Sequence, residues 1–193
     1  MKHMFIEGTD KLFVLFHGTG GNENSLLFLT GELDPYASIL SFSGNVGTGK
    51  NRRFFAPLVN KKIDRIEAAE RISEFLEKWD NLEIIKNKEI IFVGYSNGAN
   101  FILGILQERP DIAHKTILLH PSNLGWTFKE KPLKNKIIAT AGATDIIAPA
   151  GDVMKLKKEF ENIGYDDFKV LLLDGGHGVS DEEVEKLKNI LNN

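Results

Sequence analysis

The segment EIIFVGYSNGANFILGILQERP spaces Gly94, Ser96 and Gly98 as Gly-x-Ser-x-Gly between an apolar run and a stretch of helical periodicity. A serine at such a turn can attack a carbonyl carbon, provided that a base takes its proton and N–H groups receive the developing oxyanion. The spacing has a mechanical reason. A nucleophile elbow thrusts its serine out of a tight, strained strand-to-helix turn, where neighbouring backbones leave no room for side chains two positions away. The helix that follows brings the Asn97 N–H toward the place where negative charge would form. The plain alternative is a serine that only caps this helix; the preceding strand and the two glycines favour the nucleophile.

A hydroxyl needs a base, and two later loops carry the required groups. His177 lies in VLLLDGGHGVSDEE, among Gly175, Gly176 and Gly178, and Asp145 lies in IIATAGATDIIAP directly after an apolar run. His177 would take the Ser96 proton and return it to the leaving group, while Asp145 would fix the histidine tautomer and stabilise the imidazolium. For His177 the competing reading is a solvated loop histidine. Asp152 reads as a helix start, and Asp174 is too near His177 along the chain to lie opposite it, so Asp145 is the expected acid.

At the end of the first central strand, His17-Gly18-Thr19-Gly20-Gly21 forms a glycine-rich turn whose Thr19 N–H is the expected second oxyanion donor. His17, placed before the glycines, is expected to order this loop rather than to act as a base. Phe42, Phe54, Leu124 and Trp126 are candidates for an apolar substrate lining, with core packing as the competing role. His120, at a strand end, is expected near the floor of the site in a packing role. His3 and His114 read as surface residues.

Several look-alikes fail on their chemistry. Gly44 to Lys50 reads GNVGTGK, but Asn51 stands where a phosphate loop needs Ser or Thr, and Pro57 falls where its helix should run. The glycines after His17 lack the dinucleotide spacing, because Glu23 occupies a required glycine position. No His and carboxylate grouping has metal-ligand spacing, so a metal is not implied. The chain has no cysteine, which excludes disulfides and thiolate nucleophiles. With 24 basic and 27 acidic residues and a net charge of -3, no nucleic-acid partner is expected. No run approaches the ~20 apolar residues of a membrane span and no cationic leader precedes the first strand, so the expectation is a membrane-free, cytoplasmic protein. Monomer and homodimer both remain open.

The elements that must position these groups read as a βαβ series. Strands are expected at Lys11 to Phe16, Ser38 to Phe42, Glu89 to Val93, Thr116 to His120, Lys136 to Thr140 and Phe168 to Leu173. Met4 to Glu7 adds an edge strand, hairpinned to the first of these through Gly8-Thr9-Asp10. Near-continuous apolar strands suit a sheet covered on both faces. Between Asp64 and Trp79, Ile66, Ile72, Phe75, Leu76 and Trp79 are expected to form one helical face. Pro110 stops the helix after Ser96, Asp152 starts another, and Ser180 with Glu183 forms a capping box for the last, which should bury Val184, Leu187, Ile190 and Leu191. Gly44 to Lys62 has no assignable element. One domain spanning 1–193 is expected, since a chain of this length with 42% hydrophobic residues can form one shared core.

Taken in order, HGTGGNE, GYSNGAN, AGATDIIAP and GGHGVSDEEV resemble the phospholipase/carboxylesterase branch of the α/β-hydrolases, especially its small bacterial esterases. The resemblance runs over nearly the whole chain. It implies an α/β-hydrolase fold: a mostly parallel central sheet of six to seven strands, helices on both faces, and no large lid domain. It also implies hydrolysis of carboxylic esters of small molecules through an acyl-enzyme, with Ser96, Asp145 and His177 as the triad, the Thr19 and Asn97 amides as the oxyanion hole, and no cofactor. The same triad would serve an acyl thioesterase or a lysophospholipase, and a ligand-binding relative without turnover is the alternative from another class. The short stretch Pro121 to Asn135 is too brief for a large lid, which favours small esters.

Overall fold

The computed structural model describes residues 1–85 and 88–191. In chain order the elements are β1 (Lys2–Ile6), β2 (Thr9–Phe16), α1 (Leu27–Leu33), β3 (Ala37–Ser43), α2 (Arg65–Asp80), β4 (Glu89–Tyr95), α3 (Asn97–Glu108), β5 (Lys115–Leu119), β6 (Lys136–Gly142), α4 (Ala150–Asn162), β7 (Phe168–Leu173) and α5 (Asp181–Leu191). They build a seven-stranded sheet in the order β1-β3-β2-β4-β5-β6-β7. Every neighbouring pair is parallel except β1 with β3.

Side chains alternate across a strand, and the central strands use both faces. From β2, Leu12, Val14 and Phe16 enter a core shared with α2, α3 and α4, while Phe13 and Leu15 enter a second core under α1 and α5. Such double coverage explains why the strands read as continuous apolar runs. The parallel order places the C-terminal ends of β2, β4, β6 and β7 along one edge, where the loops carrying the candidate chemistry emerge.

Four local expectations need correction. The first strand does not hairpin onto β2: it steps over β3 and pairs with it antiparallel, from Lys2 opposite Ser43 to Ile6 opposite Ile39. Both sides of β2 are already taken by β3 and β4, so β1 pairs on the outer side of β3, the free edge next to β2. On α2, Ala68, Ile72, Phe75 and Trp79 are buried, but Ile66 is 76% exposed. Six residues before Ile72, it sits about 120° round the helix and misses the buried stripe. Helix α1 has no counterpart among the elements expected from the sequence; its Leu29 and Leu33 are buried with Leu26 ahead of them, at helical spacing. Helix α4 starts at Ala150 after Pro149, so Asp152 lies within its first turn rather than at its start.

Residues 44–62 hold a 3-10 turn at Gly49–Asn51 and two isolated bridges, Val46 with Arg53 and Val59 with Lys62. They also bury Phe54 and Phe55. The Phe16 ring sits at the centre of an aromatic cluster, with ring centroids at 5.7 Å for Phe42, 5.6 Å for Phe54, 5.4 Å for Phe75, 5.3 Å for Phe92 and 6.0 Å for Phe101. Phe42 and Phe54 are fully buried there and have no surface to offer a substrate. Their role is core packing, because the cluster fills the space beneath the sheet face.

Phe16→Ala should lower the stability of the protein by about 3–5 kcal/mol, since the surrounding rings cannot all collapse into the vacated volume. A urea titration followed by tryptophan fluorescence would read this as a large drop in midpoint; a midpoint near that of the wild type would show that the cluster is not a single packed unit.

Candidate active site

Ser96 joins β4 to α3 with φ 50° and ψ -108°, a left-handed backbone that costs energy for a residue with a Cβ. The turn is held by Ser96 N–H donating to the Leu119 carbonyl at 2.9 Å and by Asn100 N–H donating to the Ser96 carbonyl at 2.9 Å. A Cβ on Gly94 would stand 2.7 Å from the Ala99 nitrogen, and one on Gly98 would overlap the Phe16 carbonyl at the end of β2. The glycines at both flanking positions therefore follow from backbone crossing backbone.

The structure brings Ser96, Asp145 and His177 together. His177 Nε2 lies 2.8 Å from Ser96 Oγ, and His177 Nδ1 lies 2.7 Å from Asp145 Oδ2. An ionised carboxylate only accepts, so Nδ1–H donates to Asp145 and Nε2 is left to accept the Ser96 hydroxyl proton. Asp145 Oδ1 accepts from the N–H groups of Ile147 at 2.8 Å and Ala148 at 2.9 Å. Burial pushes the Asp145 carboxyl upward, but the Ala148 N–H, the His177 ring and the Ile147 N–H outweigh it and hold the group below its ordinary value.

The two loops that carry the acid and the imidazole are zipped together. Ala143 N–H donates to the Leu173 carbonyl at 2.7 Å and Thr144 N–H to the Gly175 carbonyl at 3.1 Å. A Cβ on Gly142 would overlap the carbonyls of Gly175 and Gly176, so the approach requires glycine at the end of β6.

On the opposite side, the loop after β2 is tied in place. His17 Nδ1–H donates to the Gly18 carbonyl at 2.6 Å, and His17 Nε2 accepts from Gly44 N–H at 3.0 Å. Burial lowers its pKa and keeps the neutral tautomer that this pattern demands. Gly20, at φ 82°, donates its N–H to the Arg52 carbonyl at 2.8 Å. Thr19 sits between these anchors. Asn97 is the first residue of α3, where an N–H has no acceptor within the helix, and its side-chain Oδ1 accepts from Phe54 N–H at 2.8 Å. A cleft of about 390 Å³ opens beside this loop, lined by Thr19, Gly20, Leu26, Phe28, Tyr95 and Val179.

The other lining candidates lie elsewhere: Trp126 is buried under the Arg65 guanidinium, 5.4 Å from its ring, and Leu124 packs against the larger core. Three residues at the site were not anticipated in their roles. Tyr95 donates its hydroxyl to the His177 carbonyl at 2.9 Å, and burial with the charges of Asp145 and Glu183 raises its pKa. His120 is 1% exposed, with Nδ1 at 3.2 Å from Asp145 Oδ2 and Nε2 at 3.2 Å from Glu183 Oε2. Burial alone would lower the His120 pKa, yet the Glu183 hydrogen bond and the charges of both carboxylates raise it. Glu183 forms the expected capping box, its N–H donating to Ser180 Oγ at 3.2 Å, but its side chain turns inward. Among the described residues, ligand atoms of His120, Asp145 and His177 lie within 4.8 Å of one another. Their ring nitrogens facing Asp145 are already hydrogen-bonded to it.

No family model matches the chain. The Bacillus subtilis (strain 168) protein named "Putative hydrolase MhqD" is 30% identical over 200 residues, covering 97% of this chain and 96% of that one. A crystal structure of the Bacillus cereus carboxylesterase superposes with a TM-score of 0.89 at 31% identity, covering 100% of this chain and 93% of the other. The Agrobacterium tumefaciens protein Atu2452, described as of unknown function, gives a TM-score of 0.85 at 28% identity over 98% of this chain and 95% of its own. Among the described residues no helix is long and apolar enough to cross a membrane. The seven-stranded, mostly parallel sheet without a large lid and the identity sustained over nearly both full lengths show that this chain belongs to the α/β-hydrolase esterase family.

Proposed function

We propose that the protein is a serine carboxylesterase, working as one domain, that cleaves esters of small molecules through an acyl-enzyme on Ser96. The observation that carries this reading is the unbroken line from Ser96 Oγ through His177 to the Asp145 carboxylate, at 2.8 Å and 2.7 Å. In the first half-reaction Ser96 Oγ bonds to the ester carbonyl carbon as its proton passes to His177 Nε2. The carbonyl oxygen becomes an oxyanion, received by the N–H groups of Asn97 and Thr19. Collapse breaks the carbon–oxygen bond of the ester, and the departing alcohol takes the proton from His177. Water then enters by the same route, releasing the acid and restoring the serine.

The strained Ser96 backbone supports turnover over mere binding, because a ligand receptor has no need of that conformation. An acyl thioesterase or lysophospholipase would use the same relay. The modest cleft beside Thr19 and Tyr95 favours short acyl groups.

A fluorophosphonate probe should label the wild type and spare Ser96→Ala, whose turnover should fall on the order of 10⁴-fold or more. Labelling of both proteins, or of neither, would overturn the assignment. Asp145→Asn should cost on the order of 10³- to 10⁴-fold in kcat, since the amide favours the wrong histidine tautomer; steady-state rates on 4-nitrophenyl acetate would measure it. Across 4-nitrophenyl esters graded by acyl length, acetate and butyrate should exceed palmitate by about tenfold or more in kcat/KM. Preference for acyl thioesters or lysolipids in the same comparison would replace the ester assignment.

A further inference from the structure

Resting on that reading, we propose that the buried Glu183–His120 pair continues the Ser96–His177–Asp145 chain, with His120 as a positioning residue that holds the Asp145 carboxylate and balances its charge. Hydrogen-bond bookkeeping supplies the first argument. Asp145 accepts four donors: Ile147 and Ala148 N–H on Oδ1, His177 Nδ1–H and His120 on Oδ2. Since an ionised carboxylate has no proton to give, His120 must donate from Nδ1. Its Nε2 faces Glu183 Oε2 at 3.2 Å, an acceptor placed to take a second N–H from the same ring. A histidine donating from both nitrogens is an imidazolium.

Burial supplies the second. The side chains of Asp145 and Glu183 are both 0% exposed and that of His120 is 1% exposed, so three ionisable groups share a site shut off from bulk solvent. Among the described residues neither carboxylate pairs with a lysine or arginine, which leaves the imidazoles as the counter-charges. A capping box needs only the reach of its glutamate back to the Ser180 N–H. Here Glu183 reaches that N–H at 3.4 Å and also turns Oε2 onto His120, while its buried Oε1 has no partner. A buried carboxylate is costly unless it serves a charge partner.

The backbone supplies the third. His120 is held at φ 50°, and Pro121 after it excludes the ordinary helical alternative. His120 N–H donates to Thr140 Oγ1 at 3.2 Å, which pins the residue beside β6 and the loop that carries Asp145. The groups facing the His120 ring are Asp145 from that loop, Glu183 from α5, His177 at 5.5 Å between ring centroids, and Tyr95 from β4 at 6.2 Å. Of these, Asp145 and Glu183 are the carboxyl groups, placed on the two nitrogens of the ring as its counter-charges.

Taking the charges together gives the sign. With His120 protonated, Asp145 and Glu183 together with it carry one net negative charge beside His177. His120→Asn keeps a donor for Asp145 but removes the positive charge, leaving two buried carboxylates to attract a proton onto His177. The acid-side fall of kcat/KM should move up by about one pH unit or more. Plateau kcat should fall about tenfold with KM within about twofold, as loss of orientation rather than of binding requires. In His120→Asn/Glu183→Gln the net charge returns to that of the wild type, and the acid-side fall should return to within about half a pH unit of its original position. A merely structural pair would change stability without moving this profile.

The test combines these pH profiles on 4-nitrophenyl acetate with nitrogen-15 NMR of histidine-labelled wild-type protein at pH 7, which needs no folded variant beyond the one used for assignment. The expected result is protons on both ring nitrogens of His120 and a profile that moves in the single variant and returns in the double one. A neutral His120 ring, or an unmoved acid-side fall in a folded His120→Asn, overturns the inference while leaving Ser96-dependent turnover intact. Wild-type protein without Ser96-dependent turnover would remove the proposed function itself, so the two failures are distinguishable.

Discussion

A carboxylate removed from water must be met by donors, and the loops at the C-terminal edge of the sheet are organised around meeting the one on Asp145. Two of its donors are amides of its own loop, Ile147 and Ala148, which fix the carboxylate plane from within that loop. The remaining oxygen faces rings delivered from two other places in the chain, His177 after β7 and His120 after β5. Satisfying this one anion therefore requires β5, β6 and β7 to lie side by side with their ends level. That is the arrangement their parallel register produces, with Leu119 opposite Thr140 and Gly142 opposite Leu173.

Close backbone approach does the rest. Gly98 lets the start of α3 rest on the end of β2, and Gly142 lets the end of β6 rest on the Gly175-Gly176 turn. In both places a methyl group would collide with a carbonyl, so the distances between hydroxyl, imidazole and carboxylate are set by main-chain contacts that have little freedom to relax. The aromatic cluster around Phe16 backs the first of these contacts from beneath, so core packing and site geometry share the end of the same strand.

Much of this was legible in the residues because the constraints are local. Gly94-x-Ser96-x-Gly98 states a crowded turn in three letters, and the apolar runs before Asp145 and His177 state strand ends. The pairing of β1 was not legible, since a short alternating segment is equally consistent with either neighbour and only the occupancy of both β2 edges decides. Ile66 shows the limit of reading apolar residues by eye, because its angular position, not its hydrophobicity, keeps it at the surface. Helix α1 is short and follows a polar turn, so its Leu26, Leu29 and Leu33 spacing was overshadowed by the glycines before it. Glu183 reads as a cap, but nothing in its sequence neighbourhood signals an inward rotamer, and a histidine after an apolar strand looks the same whether it packs or carries charge.

The irregular segment 44–62 has a bearing on how relatives can diverge. It touches the reaction centre by three hydrogen bonds: Gly44 N–H to the His17 ring, the Arg52 carbonyl to Gly20, and Phe54 N–H to the Asn97 side chain. All three use main-chain atoms of the segment, whereas the acceptors His17 and Asn97 are specific side chains and Gly44 is fixed by the Arg53 carbonyl that a Cβ there would overlap. Lengthening or retyping this segment is thus tolerated only where those tethers survive, and change confined to its outer turn leaves the reacting groups in register.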